Sequence, residues 1–364
     1  MKKIYYITAV FATLFLVGCG DGIDLPGVNV ETDLNKIPLP DNNVNLEQVE
    51  LKPSTEPMLH EGLHTEEDFQ RIRDKKAAGE EPWVSAYQLL VESQFSQKTA
   101  DTYPTEWIKR GVSGDENYMN AARGATIAYQ QALRWKIEQD DEYAAKAVEN
   151  LNKWVQTCVG VTGNTNLSLA AGLYGYEFAI AGELLRDYEG WDRADFAAFQ
   201  NWLLKVFYPA NDDFLKRHHD TNALHYWANW CLCNIAAKMA IGIVTDRRDI
   251  YNEGIAHLQT GDTNGRLRRA IYHDYAPDYN FAQWQESGRD QGHTLMCVGL
   301  MGVICQLAWS QGDDFFAYDD NLFLRACEYA ACCNYTNETV PYTTYIWQKQ
   351  SQWGYPIPEE QTTL

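Results

Sequence analysis

The chain has 364 residues, enough for one large domain or two small ones. Hydrophobic residues make up 45% and charged residues 22%, which is the composition of a globular protein and excludes a disordered one. With 50 Asp and Glu against 30 Lys and Arg, the net charge is −20. That excludes a general nucleic-acid binder, which needs a positive field over phosphate. A polyanionic ligand would have to be met by local cations against the global field.

The chain opens with Lys2 and Lys3, then an apolar run from Ile4 to Val17. A basic start, a short apolar stretch and small residues before a break describe a secretory signal. Leu16-Val17-Gly18-Cys19 resembles a lipobox, cut before the cysteine and acylated on it. The run is shorter than the roughly 20 residues a spanning helix needs. Residues 1–19 are therefore read as a lipoprotein signal peptide, with Cys19 as the lipidation site. Export is expected, to the periplasm-facing or cell-surface side of an outer membrane, with membrane contact through the anchor alone. Residues 20–56 are polar, with scattered Pro, Asn, Asp and Glu, and read as a flexible tether.

The folded domain is expected over 57–364. Thr65 stands as an N-cap with Asp68 at the capping-box position, and Phe69, Ile72 and Arg73 follow at helical spacing. Helical periodicity then predicts helices over 121–139, 143–155, 167–188, 193–207, 222–244, 293–309 and 321–332. Short breaks rich in Gly, Asp and Asn separate them, and few segments alternate like strands. Many helices joined by modest loops suit an all-α fold, either a helical solenoid or an α/α toroid, an incomplete barrel of paired helices. No strict 34-residue repeat supports the solenoid. Eight cysteines follow Cys19, none in a CxxC pair with zinc spacing, and most sit in apolar helical stretches as expected of buried thiols.

Two stretches carry candidate chemistry. Asn222, His225, Tyr226 and Asn229 fall at i, i+3, i+4 and i+7 of the predicted 222–244 helix. Four polar groups on one stripe of an apolar helix are costly unless paired or facing a cleft. The second stretch, Glu286-Ser287-Gly288-Arg289-Asp290-Gln291-Gly292-His293, supplies an acid, a base, an amide and an imidazole at the start of an apolar helix. If that helix covers Arg289, then Arg289 and His293 share a face; Ser287 or Asp290 could cap it. Arg217-His218-His219-Asp220 and the basic residues Arg266, Arg268 and Arg269 are lesser candidates for meeting a polyanion. The 12 Trp and 22 Tyr offer rings that stack on sugar faces, which favours a carbohydrate ligand.

Several of these segments resemble a known family. His64-Thr65-Glu66-Glu67-Asp68-Phe69-Gln70-Arg71-Ile72-Arg73, followed by Pro82-Trp83, is similar to the opening of the alginate lyase superfamily. The helix Ala128-Tyr129-Gln130-Gln131-Ala132-Leu133-Arg134-Trp135 and the run Ala171-Gly172-Leu173-Tyr174-Gly175-Tyr176 continue it. Tyr226-Trp227-Ala228-Asn229-Trp230, the Glu286–His293 run and Val340-Pro341-Tyr342-Thr343-Thr344-Tyr345 most resemble polysaccharide lyase family 38. The resemblance spans about residues 57 to 350.

It implies an α/α toroid that cleaves a uronic-acid polysaccharide, chiefly polymannuronate or glucuronan, by β-elimination, with no metal or redox cofactor. The residue types fit that chemistry. The C5 proton is weakly acidic because the neighbouring carboxylate is negative, so a cation or hydrogen bonds must stabilise the enolate-like intermediate. A base takes the proton and an acid protonates O4 as it leaves. The resemblance matches Arg289 to the neutralising arginine; Arg289 and Asn229 are read as neutralising, with His225 or His293 as base and Tyr226 as acid, the proton-transfer role staying open among His225, His293 and Tyr226. The tyrosine that family members carry several residues after the arginine is absent; His293, Thr294, Leu295 and Met296 stand there. Asn222, Tyr174, Tyr176, Glu286, Gln291 and Tyr345 are the expected sugar contacts. Family members continue past 340–345 through another helix, so the toroid is expected to be short of its last helix and less stable and less active than longer relatives. Two other functions compete. An inverting glycoside hydrolase would use Glu286, Asp290 or Asp220 as its acids. A non-catalytic, lipid-anchored glycan-binding protein would bind without turnover.

Overall fold

The computed structural model describes residues 54–336, 339–351 and 353–364. Cys19, the signal reading over 1–19 and the tether up to residue 53 lie outside the described residues. The capping box forms as expected: Thr65 caps α1 (Glu66–Ala77), and the Asp68 side chain answers to the Thr65 backbone. Next come α2 (Trp83–Glu92), strand β1 (Trp107–Arg110), α3 (Tyr118–Glu138), α4 (Asp141–Thr157) and strand β2 (Gly160–Gly163). They are followed by α5 (Leu167–Leu184), α6 (Arg193–Val206), α7 (Tyr208–Arg217), α8 (Ala228–Val244) and α9 (Arg248–Thr260). The short α10 (Leu267–Ala270) leads into β3 (Ile271–Asp274) and β4 (Ala282–Trp284), then α11 (Gln291–Ser310) and α12 (Tyr318–Tyr335). The chain closes with β5 (Tyr345–Gln350) and β6 (Pro356–Gln361).

The helices form an α/α toroid, and their composition says which ring each joins. Every residue of α8 is buried, and nearly every residue of α5, so both are apolar all round and belong inside. Helices α4, α6 and α9 bury one stripe each and form outer partners. Helices α5 and α8 run in the same direction. Near their starts, Asn234 Nδ2 donates to the Ser168 carbonyl at 3.2 Å. Near their ends, the Arg186 guanidinium donates to the carbonyls of Ile243 and Val244 at 3.1 and 2.9 Å. They approach closely because Gly172 has no side chain: a Cβ there would stand 2.5 Å from Cys233 Sγ.

Three two-stranded ribbons, which periodicity missed, decorate the toroid. The β1–β2 pair is parallel; the other two pairs are antiparallel. In β6, Pro358 and Pro356 pair with Gln348 and Gln350. Proline suits this strand because its outer edge has no further partner in the two-stranded sheet. The described cysteines are all free thiols, and most are buried.

Burial leaves a titration signature. It pushes the imidazoles of His64, His225 and His257 from 6.5 down to about 4, and that of His218 to about 3. Between pH 6.5 and about 4 the unfolded chain binds protons that the folded chain refuses, so stability falls as pH drops through that window. Glu177 acts in the opposite sense. Burial raises its carboxyl from 4.5 to about 8, so its contribution is lost as pH rises towards 8. With His219, also lowered by burial, five histidines outweigh the raised carboxyls of Glu177 and Glu183 below pH 6.5, and the carboxyls alone act just above it. The thermal midpoint should therefore peak near neutral pH, fall steeply on acidification and fall gently towards pH 8. A flat midpoint between pH 7 and 4.5 in a melting series would contradict this assignment.

Candidate active site

The polar run before α8 does not sit on a helix. Helix α8 begins at Ala228, and Trp227 before it is extended, with φ −64° and ψ 158°. The predicted stripe of Asn222, His225, Tyr226 and Asn229 is thus corrected: only Asn229 is helical. The reason is local. The Asn222 side chain accepts from Leu224 N at 2.9 Å, closing a turn, and donates to the Gln348 carbonyl at 3.1 Å. Its own N–H donates to Gln350 Oε1 at 2.5 Å. Asn222 is committed to holding this loop against β5, not to a sugar.

With no cap of its own, α8 takes one from the second stretch. Gln285 Oε1 accepts from Ala228 N, and Glu286 Oε1 accepts from Asn229 N, both at 3.0 Å. The fully buried Glu286 also accepts from Arg289 Nη1 at 3.2 Å through its other oxygen. Glu286 is therefore a positioning residue rather than a sugar contact. The Arg289 guanidinium lies 5.2 Å above the Trp227 ring. Trp227 in turn stacks on Trp347 of β5, centroids 4.3 Å apart. Helix α11 starts after Arg289, with Asp290 as N-cap, so Arg289 and His293 do not share a helical face. Asn229 is fully buried between α8 and α11. Its Nδ2 lies 3.7 Å from Met296 Sδ, and its Oδ1 has no hydrogen-bond partner among the described residues.

The two candidate histidines have opposite hydrogen-bond roles. Gln350 N–H donates to His225 Nδ1 at 2.6 Å. A backbone N–H can only donate, so the proton of neutral His225 must sit on Nε2. Burial first, and then Lys349 and His219, push this imidazole down to about 4, so it is a neutral N–H donor at neutral pH. At His293, Nδ1 faces Asp290 Oδ2 at 2.6 Å while its backbone N–H donates to Asp290 Oδ1 at 2.8 Å. Burial pushes the Asp290 carboxyl up, but those hydrogen bonds and the positive charge nearby hold it below its ordinary value. The carboxylate accepts, so Nδ1 carries the proton and the lone pair lies on Nε2. His293 is built as a proton acceptor and His225 as a donor.

The remaining predicted residues divide. Tyr226 packs edge-on against His225 at 4.7 Å and beside Trp230 and Phe214. Tyr174 and Tyr176, expected on sugar, are corrected: they are 1% and 5% exposed and belong to the core. Tyr345 is buried too; its hydroxyl donates to the Gln285 carbonyl and accepts from Gly288 N, clamping the loop that carries Glu286. Gln291 accepts from Asn334 Nδ2 at 3.0 Å. Arg217 pairs with Asp213 and Asp220, Arg268 pairs with Asp319, and Arg269 Nη1 donates to the Asp262 carbonyl at 2.8 Å, so several of these cations are already engaged within the chain. The acids a hydrolase would need are likewise taken up by Arg217, Arg289 and His293. Among the described residues no three His, Cys, Asp or Glu side chains group as a metal site. Sequence reasoning missed Trp347, Gln350 and Gln285. Only Trp347 left a trace, as an aromatic in the alternating Tyr345-Ile346-Trp347 run.

The toroid is matched by known proteins. The alginate lyase family profile fits residues 72–338. The chain belongs to the alginate lyase family, and so to the polysaccharide lyases. A variant of alginate lyase A1-III solved with a tetrasaccharide superposes with a TM-score of 0.57 at 14% identity, covering 78% of this chain and 82% of that one. Alginate lyase A1-III from Sphingomonas species A1 gives 0.52 at 13% identity, over 76% and 80%. An alginate lyase from Bacteroides ovatus gives 0.52 at 13%, over 74% and 82%. Identities this low establish the shared fold. Comparison with curated protein sequences returns no match.

Because Glu286 holds both Arg289 and the start of α8, Glu286→Ala removes the guanidinium's buried carboxylate and the acceptor of Asn229 N, loosening two segments. It should cost about 3–5 kcal/mol of stability, read from urea unfolding. A loss within ~0.5 kcal/mol, the range of ordinary surface substitutions, would show that the carboxylate does not hold these elements.

Proposed function

We propose that the chain cleaves a uronic-acid polysaccharide, polymannuronate or glucuronan, by β-elimination in the manner of polysaccharide lyase family 38. The observation that carries this reading is the pair of oppositely polarised histidines, His225 at the Trp347 end of the aromatic stack that Arg289 lies over and His293 four residues after Arg289. Arg289 and the His225 Nε2–H meet the uronate carboxylate. His293 Nε2 takes the C5 proton, and the charge that develops on the carboxylate is stabilised by the two donors. The C4–O4 bond then breaks, leaving a C4–C5 double bond, and O4 takes a proton from the Tyr226 hydroxyl or from the His293 imidazolium. No water is consumed. Asp290 holds His293 in the tautomer the step requires, and Glu286 holds Arg289. Membership of the alginate lyase family and the tetrasaccharide bound by an A1-III variant support an anionic polysaccharide as the substrate. The Lys2-Lys3 start and Leu16-Val17-Gly18-Cys19 support an exported lipoprotein anchored at Cys19.

Polymannuronate, polyguluronate and glucuronan should be incubated with the protein while the near-ultraviolet absorbance of the new double bond is followed. Absorbance should rise on at least one of them without added metal. Reducing ends appearing without that absorbance would mean hydrolysis and would overturn the lyase reading.

Arg289→Ala should lower turnover by ~10²–10³ in a protein that still folds. His293→Ala should lose ~10²–10⁴. The two histidines separate in the pH–rate profile. His225 stays neutral above about pH 5, so His225→Ala lowers the rate without moving the acid limb. Asp290→Asn should move that limb, because it removes the carboxylate from Nδ1. If His225→Ala moved the limb and Asp290→Asn did not, the roles would be reversed.

A further inference from the structure

Four arginines are buried among the described residues, and three are paired with carboxylates. Arg134 meets Glu138, Arg186 meets Glu183 and Asp246, and Arg325 meets Asp274 and Asp320. The fourth is Arg110, at the end of β1. It is 7% exposed, and its Nη1 is shut off from water without a hydrogen-bond partner. It has no ion pair among the described residues. Its one marked contact is the Tyr118 ring, 4.7 Å from the guanidinium carbon. Tyr118 stacks in turn on Tyr174.

The alternation of β1 makes this placement deliberate. Trp107 and Lys109 face outward, and Lys109 is paired with Asp115; Ile108 and Arg110 face inward. An inward position next to a fully buried isoleucine suits a leucine or methionine. A charge there, with none opposite it, is costly unless an anion arrives from outside.

The surroundings say which anion. Arg110 pairs with Gly163, where a Cβ would stand 1.7 Å from the Arg110 carbonyl, so β2 lies tightly against it. The loop after Gly163 runs into α5, where Ser168 Oγ meets His219 Nε2 at 2.9 Å. His219 packs on Tyr226 at 5.8 Å, and Tyr226 on His225 at 4.7 Å. A chain of contacts thus links Arg110, through β2, Ser168, His219 and Tyr226, to His225 of the proposed reaction centre. A polyuronate presents a carboxylate on every sugar, and a guanidinium can meet a carboxylate with two parallel hydrogen bonds.

We propose that Arg110 binds the carboxylate of a uronate unit neighbouring the one that reacts. This rests on the polyuronate reading above. Arg110 is then a substrate-binding residue that selects charged over neutral chains and takes no part in proton transfer.

The test uses the full chain, Arg110→Gln and Arg110→Lys, with tetramannuronate, tetraglucuronate and their carboxyl-reduced, neutral counterparts. Binding is read by calorimetry and by ligand-induced thermal shift, and KM and kcat by double-bond absorbance. Arg110→Gln should weaken binding and raise KM roughly 10- to 100-fold on the charged tetrasaccharide. Its kcat should stay near that of the parent, and its affinity for the neutral tetrasaccharide should not change. Arg110→Lys should recover part of the loss. Because an unpaired buried charge is removed, the thermal midpoint of ligand-free Arg110→Gln should not fall. A lower midpoint with kcat reduced on every substrate would mean that Arg110 is structural and would overturn the proposal. So would unchanged affinity for the charged tetrasaccharide. If the parent binds the charged tetrasaccharide through Arg110 without cleaving it, the lyase reading fails and the subsite stands. If the parent cleaves it and Arg110→Gln matches the parent, only the subsite fails. If the parent neither binds nor cleaves either charged tetrasaccharide, both fail.

Discussion

The carboxylate of Glu286 ties the start of an inner helix to the loop that carries Arg289. It caps an inner helix through Asn229 N, neutralises the guanidinium of Arg289, and does both from full burial. A buried carboxylate is expensive, and here each oxygen is answered by a donor. Because α8 lacks a capping side chain of its own, its first turn depends on the 285–286 segment. That segment is clamped from outside by the Tyr345 hydroxyl. The start of α8, the position of Arg289 and the ribbon β5–β6 are therefore one mechanical unit. A disturbance at any of them is felt at the guanidinium.

Two histidines of similar surroundings acquire opposite roles by what faces Nδ1. An acidic side chain at His293 and a backbone N–H at His225 choose opposite tautomers. Nothing about imidazole itself separates a donor from an acceptor; the neighbour does. The Trp227–Trp347 stack has Arg289 over one ring and His225 near the other.

The toroid was legible because its helices are long and strongly periodic. Asp141–Thr157 and Arg193–Val206 fall within two residues of the helices expected from Tyr143 and Arg193. The capping box at Thr65 was legible because its chemistry is local. The site was legible only as a set of residue types. Residues 222–227 keep helical spacing, yet Asn222 spends its side chain on a turn and on β5, which lies more than 120 residues away in the chain. Tyr174 and Tyr176 look like sugar platforms in a string of letters and are core in space, because α5 is buried on all sides. Ribbon β5–β6 was hidden by its prolines, which penalise a central strand and are tolerated on an open edge. Nothing in the local sequence could have shown that Gln350 approaches His225.

That last contact has an evolutionary consequence. The group that sets the tautomer of His225 is main-chain amide, so every residue except proline at position 350 supplies it equally well. Side-chain drift at this position cannot erase the hydrogen bond, whereas a one-residue slip of β5 would, with no catalytic residue altered. Relatives that share this chemistry would then keep the length of the connection between α12 and β5 more faithfully than the identity of the residue that makes the contact. Insertions and deletions there would mark the branches in which the histidine has changed its work.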